Sequence, residues 1–197
     1  MLSALHESPL GHIAAQLVVK HHLEPPVQIC KLNQNQHESM IDLFAEIHAY
    51  YANGAVVSRS DIREHLLENL LSPESPHELI VCCSDDGKVL GFAAITMVFS
   101  LFEFAPNKRK QCQLKELYVR SSFTGKGIGR ALMSWVAAYA LENEYHRMDW
   151  LVKATNTEGI SFYKSIGAMP VQDKISFRLS ELAMGVLASK HRSASDA

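Results

Sequence analysis

Apolar positions along the chain change their period as the sequence proceeds, and the changes mark out the elements. Met40, Leu43, Phe44, Ile47 and Tyr50 recur at spacings of three and four, which predicts an amphipathic helix from about Gln36 to Tyr51. Asn53-Gly54 is expected to end it. Ser60 is the expected N-cap of a second helix, with Ile62, Leu66, Leu67 and Leu70 on its buried face before Pro73 and Pro76 break the pattern. From Leu79 the runs become β-prone: Leu79 to Cys83 and Val89 to Phe99 flank Asp85-Asp86-Gly87-Lys88, the chemistry of a hairpin turn. A polar loop at 105–110 leads to a third strand over Gln113 to Val119, completing an antiparallel meander. Ile128, Leu132, Trp135, Val136 and Tyr139 then share one stripe of a long helix reaching about Asn143. Met148 to Lys153 reads as a strand, and Asn156 or Thr157 caps a short helix through Phe162 and Tyr163 that Gly167 ends. Ile175 to Leu179 supplies a last strand. The order predicts a single mixed α/β domain without internal repeats.

Before the first long helix the pattern is weaker. Cys30 begins a short strand-like piece, and residues 1–26 form an N-terminal appendage with one short helix over Ile13 to His21, closed by Glu24-Pro25-Pro26. The domain itself is expected over 27–182, with 183–197 as a C-terminal tail. With 197 residues, 47% hydrophobic and 20% charged, the chain holds enough apolar surface for one core. Lys plus Arg is 19 against 21 Asp plus Glu, a net charge of -2, so no basic field draws the chain to nucleic acid. No uncharged apolar run nears the ~20 residues that span a bilayer, and no charged segment followed by an apolar one opens the chain, so a cytoplasmic protein is expected.

The candidate metal and thiol chemistry is sparse. Cys30, Cys82, Cys83 and Cys112 include no CxxC, and read as reduced core thiols. Cys112 paired with a distant histidine is a nucleophile with nothing local to support it. His6, His37 and His77 each precede a Glu, but none has a second His four positions on, so no HExxH occurs and no metal is expected.

The strongest chemical feature is Thr124-Gly125-Lys126-Gly127-Ile128-Gly129-Arg130, between a strand and a helix. Glycines let the backbone approach a ligand, and amides at a helix start favour phosphate oxygens. A Walker A loop would need GxxxxGK followed by Ser or Thr, and a dinucleotide fingerprint would need a glycine where Arg130 stands; both matches fail. On the loop alone, pyrophosphate binding and simple backbone packing both remain open.

Leu117-Tyr118-Val119 followed by this loop and Arg130-Ala131-Leu132, then Asn156, Phe162-Tyr163-Lys164 and Gly167-Ala168, resembles the GNAT family of N-acetyltransferases over roughly residues 28–180. The family's signature begins with Arg or Gln, and here that position is Thr124. The resemblance implies a mostly antiparallel sheet with splayed central parallel strands and flanking helices, and acetyl-CoA as acyl donor. It implies cofactor contacts from Leu117, Tyr118, Val119, Thr124, Gly125, Lys126, Gly127, Ile128, Gly129, Arg130 and Asn156. Leu117 and Val119 would offer backbone groups to pantetheine, and Tyr163 falls at the position of the family's usual acid. Glu116, just before Leu117 on the same strand, is the candidate acceptor of the amine proton. The acceptor pocket is implied around the first two helices, with Tyr50, Tyr51 and Asn53. The expected reaction is acetylation of a small-molecule primary amine, with a diamine or polyamine favoured. A protein N-terminus or lysine, or a CoA-binding module without turnover, are the alternatives, and a homodimer is compatible with each.

Overall fold

A computed structural model describes residues 19–21, 26–52 and 56–195. The expected helix over Ile13 to His21 lies mostly outside these residues. Its last three form instead a strand, β1 (Val19–His21), antiparallel to β2 (Val27–Lys31). β-branched Val19 with a neighbouring backbone to pair with is better satisfied in a ladder than in an isolated short helix.

Helix α1 (His37–Tyr51) follows, with Met40, Ile41 and Leu43 buried. The Asn53-Gly54 stop lies outside the described residues. α2 (Arg59–Glu64) is capped not by Ser60 but by Ser58, whose hydroxyl accepts from the Asp61 amide at 3.1 Å. The cap must precede the first turn with extended backbone, and Ser58 has it at φ -70 and ψ 146. A π-helical turn over His65–Leu70 continues α2 and buries Leu66.

The meander is β3 (His77–Ser84), β4 (Val89–Phe99) and β5 (Lys110–Val119). Gly87 turns the first hairpin at φ 81. α3 (Ile128–Glu142) returns the chain to β6 (Met148–Asp149), giving one sheet in the order β1 to β6, antiparallel except for β5 and β6. The parallel register holds only at Cys112 with Met148 and Gln113 with Asp149. Among the described residues, Leu114 to Val119 therefore have no ladder partner on that side, and the strand expected over Met148 to Lys153 is cut to two residues.

Alternation sorts the sheet's two faces. Leu79, Val81, Cys83, Phe92 and Ala94 join Met40, Leu43, Ile62 and Leu66 in one core under α1 and α2. The opposite face packs on α3, whose Ile128, Leu132, Trp135, Val136 and Tyr139 are all buried as their stripe predicts. There the Tyr139 hydroxyl accepts from Lys31 Nζ at 2.7 Å and donates to Glu78 at 2.9 Å. Cys82, Cys83 and Cys112 are buried free thiols and Cys30 is half-buried; burial pushes Cys82 and Cys83 up to about 12 and Cys112 up to about 11. Thiols so held stay protonated at neutral pH, as core side chains do.

The chain divides at Val152/Lys153 into two compact units. In the second, α4 (Thr157–Ser165) is capped by Asn156, whose Oδ1 accepts from the Gly159 amide at 2.9 Å, and Gly167 follows at φ 91. Ile175 to Leu179 alternates as a strand would, yet it forms no ladder. A strand needs a neighbour's amides and carbonyls, which alternation alone does not supply. α5 (Glu181–Ser195) occupies most of the stretch expected as a tail.

Candidate active site

The glycine-rich segment opens α3. β5 ends at Val119, Ser121–Phe123 make a 3-10 turn, and Gly125 and Gly127 take φ of 73 and 82. Left-handed backbone at two alternate positions turns the chain into the helix, a conformation glycine adopts without strain. Gly127 is the N-cap and contributes no side-chain cap, so the start of α3 at Ile128 and Gly129 is left to a ligand or water. That is the arrangement an anion requires. Thr124, where the family signature carries Arg or Gln, turns its hydroxyl back to donate to the Ser121 carbonyl at 2.9 Å. It braces the loop. Lys126 holds its ammonium 4.9 Å above the Phe123 ring, and exposed Arg130 adds a second cation in the first turn of α3.

The other side of β5 meets α1. A bulge between Ala94 and Ile95 in the register leaves Lys115 extra, so Glu116 sits opposite Ala94 and Leu114 opposite Ile95. Bulges bend a strand and re-aim the side chains next to them. Glu116 and Tyr118 then share the face toward α1. Burial, with the charge of Glu116 second, raises the Tyr51 phenol above its ordinary value, which places this carboxylate and this phenol near each other. Tyr50 lies edge-on to Tyr51, ring centres 5.2 Å apart, and the two are 72% and 52% exposed. Asn53 lies outside the described residues.

Three contributors, Glu46, Arg120 and Gly91, had no sequence motif. Glu46, one turn before Tyr50, accepts from the Tyr118 hydroxyl at 3.2 Å and pairs with Arg120. Burial first and then the Glu46 charge push Tyr118 up to about 12, so its hydroxyl is a donor. Gly91, opposite Val119, allows a close approach: a Cβ there would lie 2.7 Å from the Tyr118 carbonyl oxygen. The structure thus brings Tyr50, Tyr51, Glu116 and Tyr118 to one face of β5 and the residues from Thr124 to Arg130 to its end. In the second unit, half-buried Tyr163 lies in α4 beside Phe162 with ring centres 5.2 Å apart, and Asn156 is the cap described above. Among the described residues no group of three His, Cys, Asp or Glu could hold a metal, and no helix is long and apolar enough to cross a membrane.

A family profile described as Acetyltransferase (GNAT) family matches residues 38–168, from α1 past the end of α4. The chain belongs to this family. It is therefore an acetyl-CoA-dependent N-acetyltransferase, and its mixed, mostly antiparallel sheet is the fold the resemblance implied. It is 27% identical over 140 residues to an uncharacterized N-acetyltransferase of Archaeoglobus fulgidus, covering 71% of this chain and 90% of that one. A thialysine N-epsilon-acetyltransferase of Bos taurus is 28% identical over 92 residues, covering 45% of this chain and 54% of the relative. Among solved structures, an integron cassette protein from the mobile metagenome of V. cholerae has TM-score 0.73 and 32% identity, covering 82% of this chain and 97% of that one. In this GNAT chain the glycine-rich segment is compatible with the family's acetyl-CoA: two left-handed glycines lead into a helix start without a side-chain cap, and such a start favours phosphate oxygens.

Proposed function

We propose that the chain acetylates a primary amine on a small cationic molecule, a diamine or polyamine, by direct attack of the neutral amine on the thioester. The observation that carries this is the α1 face of β5, where Glu116 and the phenols of Tyr50, Tyr51 and Tyr118 gather. Carboxylates and aromatic faces both favour an ammonium group. The relative that acts on thialysine, itself a small amine, is in keeping with that reading.

Acetyl-CoA supplies the activated acyl group. Glu116 receives the proton the amine must lose before its nitrogen has a lone pair to give. Leu117 and Val119 hold the donor through their backbone groups, and the amides from Gly125 to Arg130 hold its phosphates. Tyr163 returns a proton to the departing thiolate. From reference values, a phenol at ~10 is uphill by about 1.5 units from a thiolate whose thiol is at ~8.5, so the bound state has to supply the difference. Asn156 serves both as helix cap and as a cofactor contact. Residues 27–182 form the catalytic domain in this reading. Cytoplasmic residence belongs to it too, since buried free thiols suit a reducing compartment.

The test is a panel of amines read by release of free CoA: diamines, polyamines, amino acids, and peptides with a free N-terminus or lysine. Diamines or polyamines should give the highest kcat/KM. Preference for peptides would replace the small-molecule reading with protein acetylation, and no turnover with any amine of the panel would place the acceptor outside these classes.

A further inference from the structure

Arg120 is the last anchored residue before the cofactor loop, and every part of it is tied down. Its amide donates to the Leu90 carbonyl at 2.9 Å, and its own carbonyl accepts from the Phe123 amide at 2.8 Å, the bond that starts the 3-10 turn. Its Nε donates to the Val89 carbonyl at 2.8 Å, Nη1 pairs with Glu46, and Nη2 reaches the Ser39 carbonyl at 3.4 Å. One guanidinium therefore joins the start of β4, two turns of α1 and the exit of β5. Its side chain is only 12% exposed, and Glu46 is 34% exposed. Beyond it, the stretch from Ser121 to Thr124 is braced by bonds within itself, Thr124 to Ser121. The direction in which the loop sets out is decided at Arg120.

We propose that Glu46 and Arg120 are positioning residues for acetyl-CoA: the ion pair fixes the origin of the loop against α1, so cofactor affinity depends on two side chains that do not touch the cofactor. The argument rests on the reading that this loop holds acetyl-CoA. A partly buried guanidinium whose anion is removed seeks other acceptors or water, and the backbone it carries shifts with it. Because Arg120 and Ser121 are adjacent, that shift enters the loop, where amides must sit within a fraction of an ångström of the phosphate oxygens. Glu46 also lies one turn from Tyr50 and Tyr51, so the same pair holds the acceptor side of α1 in place.

The experiment uses the full chain, with acetyl-CoA binding measured by calorimetry and thermal stability measured without ligand. Glu46→Gln keeps shape and the bond from Tyr118 but removes the charge; Arg120→Lys keeps a cation but loses the fork. Each should bind acetyl-CoA about tenfold more weakly than wild type, and the double variant should be little worse than either single one, because both break the same contact. Glu78→Gln, in the ion pair on the opposite face, is the control: it should lower thermal stability comparably and leave acetyl-CoA affinity within twofold. If Glu46→Gln and Arg120→Lys lower only the melting temperature, the pair is structural and the proposal fails. Should Glu46→Gln not fold, Arg120→Lys carries the same decision. A wild type that does not bind acetyl-CoA would remove the cofactor reading and this proposal together, an outcome distinct from variants that bind as well as wild type.

Discussion

The glycine-rich loop and the α1 face of β5, proposed as cofactor and acceptor sites, lie next to each other, yet they are built by opposite means. The loop is local: Thr124 to Arg130 are consecutive, and its chemistry is backbone amides released by two left-handed glycines. The α1 face is assembled: Glu46 and Tyr51 come from α1, and Glu116, Tyr118 and Arg120 from β5 and the residue after it, more than sixty residues away in sequence, and its chemistry is side-chain charge and hydroxyls. Backbone amides do not depend on the side chain beside them, and at Thr124 the hydroxyl bonds back to the Ser121 carbonyl. An assembled face depends on each partner.

That contrast sets the largest expected effect. Gly127→Val places a β-branched residue at φ 82, which costs ~1–2 kcal/mol of strain and crowds the helix start. Acetyl-CoA at a hundredfold excess over Kd should add ~2.7 kcal/mol to the stability of wild type, and this stabilisation should vanish in the variant. Gly127→Asn, which tolerates left-handed backbone better, separates strain from crowding. Wild-type affinity in the Asn variant would return the loop to a packing role.

The next two predictions test the side chains. Tyr163→Phe should hold acetyl-CoA affinity within a few-fold and lower kcat by ~10² if it is the acid. Near-normal kcat would leave Tyr163 as a packed aromatic beside Phe162. Glu116→Gln should lower the rate at pH 7 by about tenfold and recover much of it as pH rises toward the pKa of the amine, where solvent removes the proton. A raised KM with normal kcat and no rescue at high pH would mean that Glu116 only attracts the cation. Wild-type kinetics throughout would remove it from the mechanism.

The same contrast explains what could be read from the sequence. Gly125, Gly127, the buried stripe of α3, the Gly87 turn and a cap at Asn156 or Thr157 are encoded within a few neighbouring residues, so spacing located them, and the structure gives the cap to Asn156. Glu46 and Arg120 carry no local mark, because a solvated charge and a clamped one have the same one-letter pattern until the fold brings them together. The bulge at Lys115 and the close approach at Gly91 depend on a neighbouring strand, which alternation does not reveal. Ser58 displaced Ser60 as a cap by the backbone angles it adopts, and Ile175 to Leu179 kept its alternation without acquiring a partner. β1 replaced the end of the expected helix because pairing with β2 outweighs weak helical propensity over three residues.

The smallest effect expected is at Tyr118, and it tests whether the acceptor side holds its phenol neutral. Burial and the Glu46 carboxylate raise its pKa to about 12, against ~10 for a free phenol. The folded state therefore binds the phenolic proton more tightly than the unfolded one. The stabilisation this linkage gives is complete below pH ~10 and is lost as pH rises from there through about 12. Tyr118→Phe has no proton to lose, so it should give up ~0.5–1.5 kcal/mol at neutral pH with the bond to Glu46. It should then fall less steeply than wild type between pH 10 and 12, where the buried thiols still contribute their own decline in both proteins. Denaturant unfolding at several pH values reads the slope, and absorbance of the ionising tyrosines reads the proton directly: one equivalent of late-ionising phenol should be missing from the variant. Identical alkaline slopes, with the missing equivalent ionising near pH ~10 instead of late, would show that Tyr118 ionises like a solvated phenol, and that Glu46 is held by Arg120 alone.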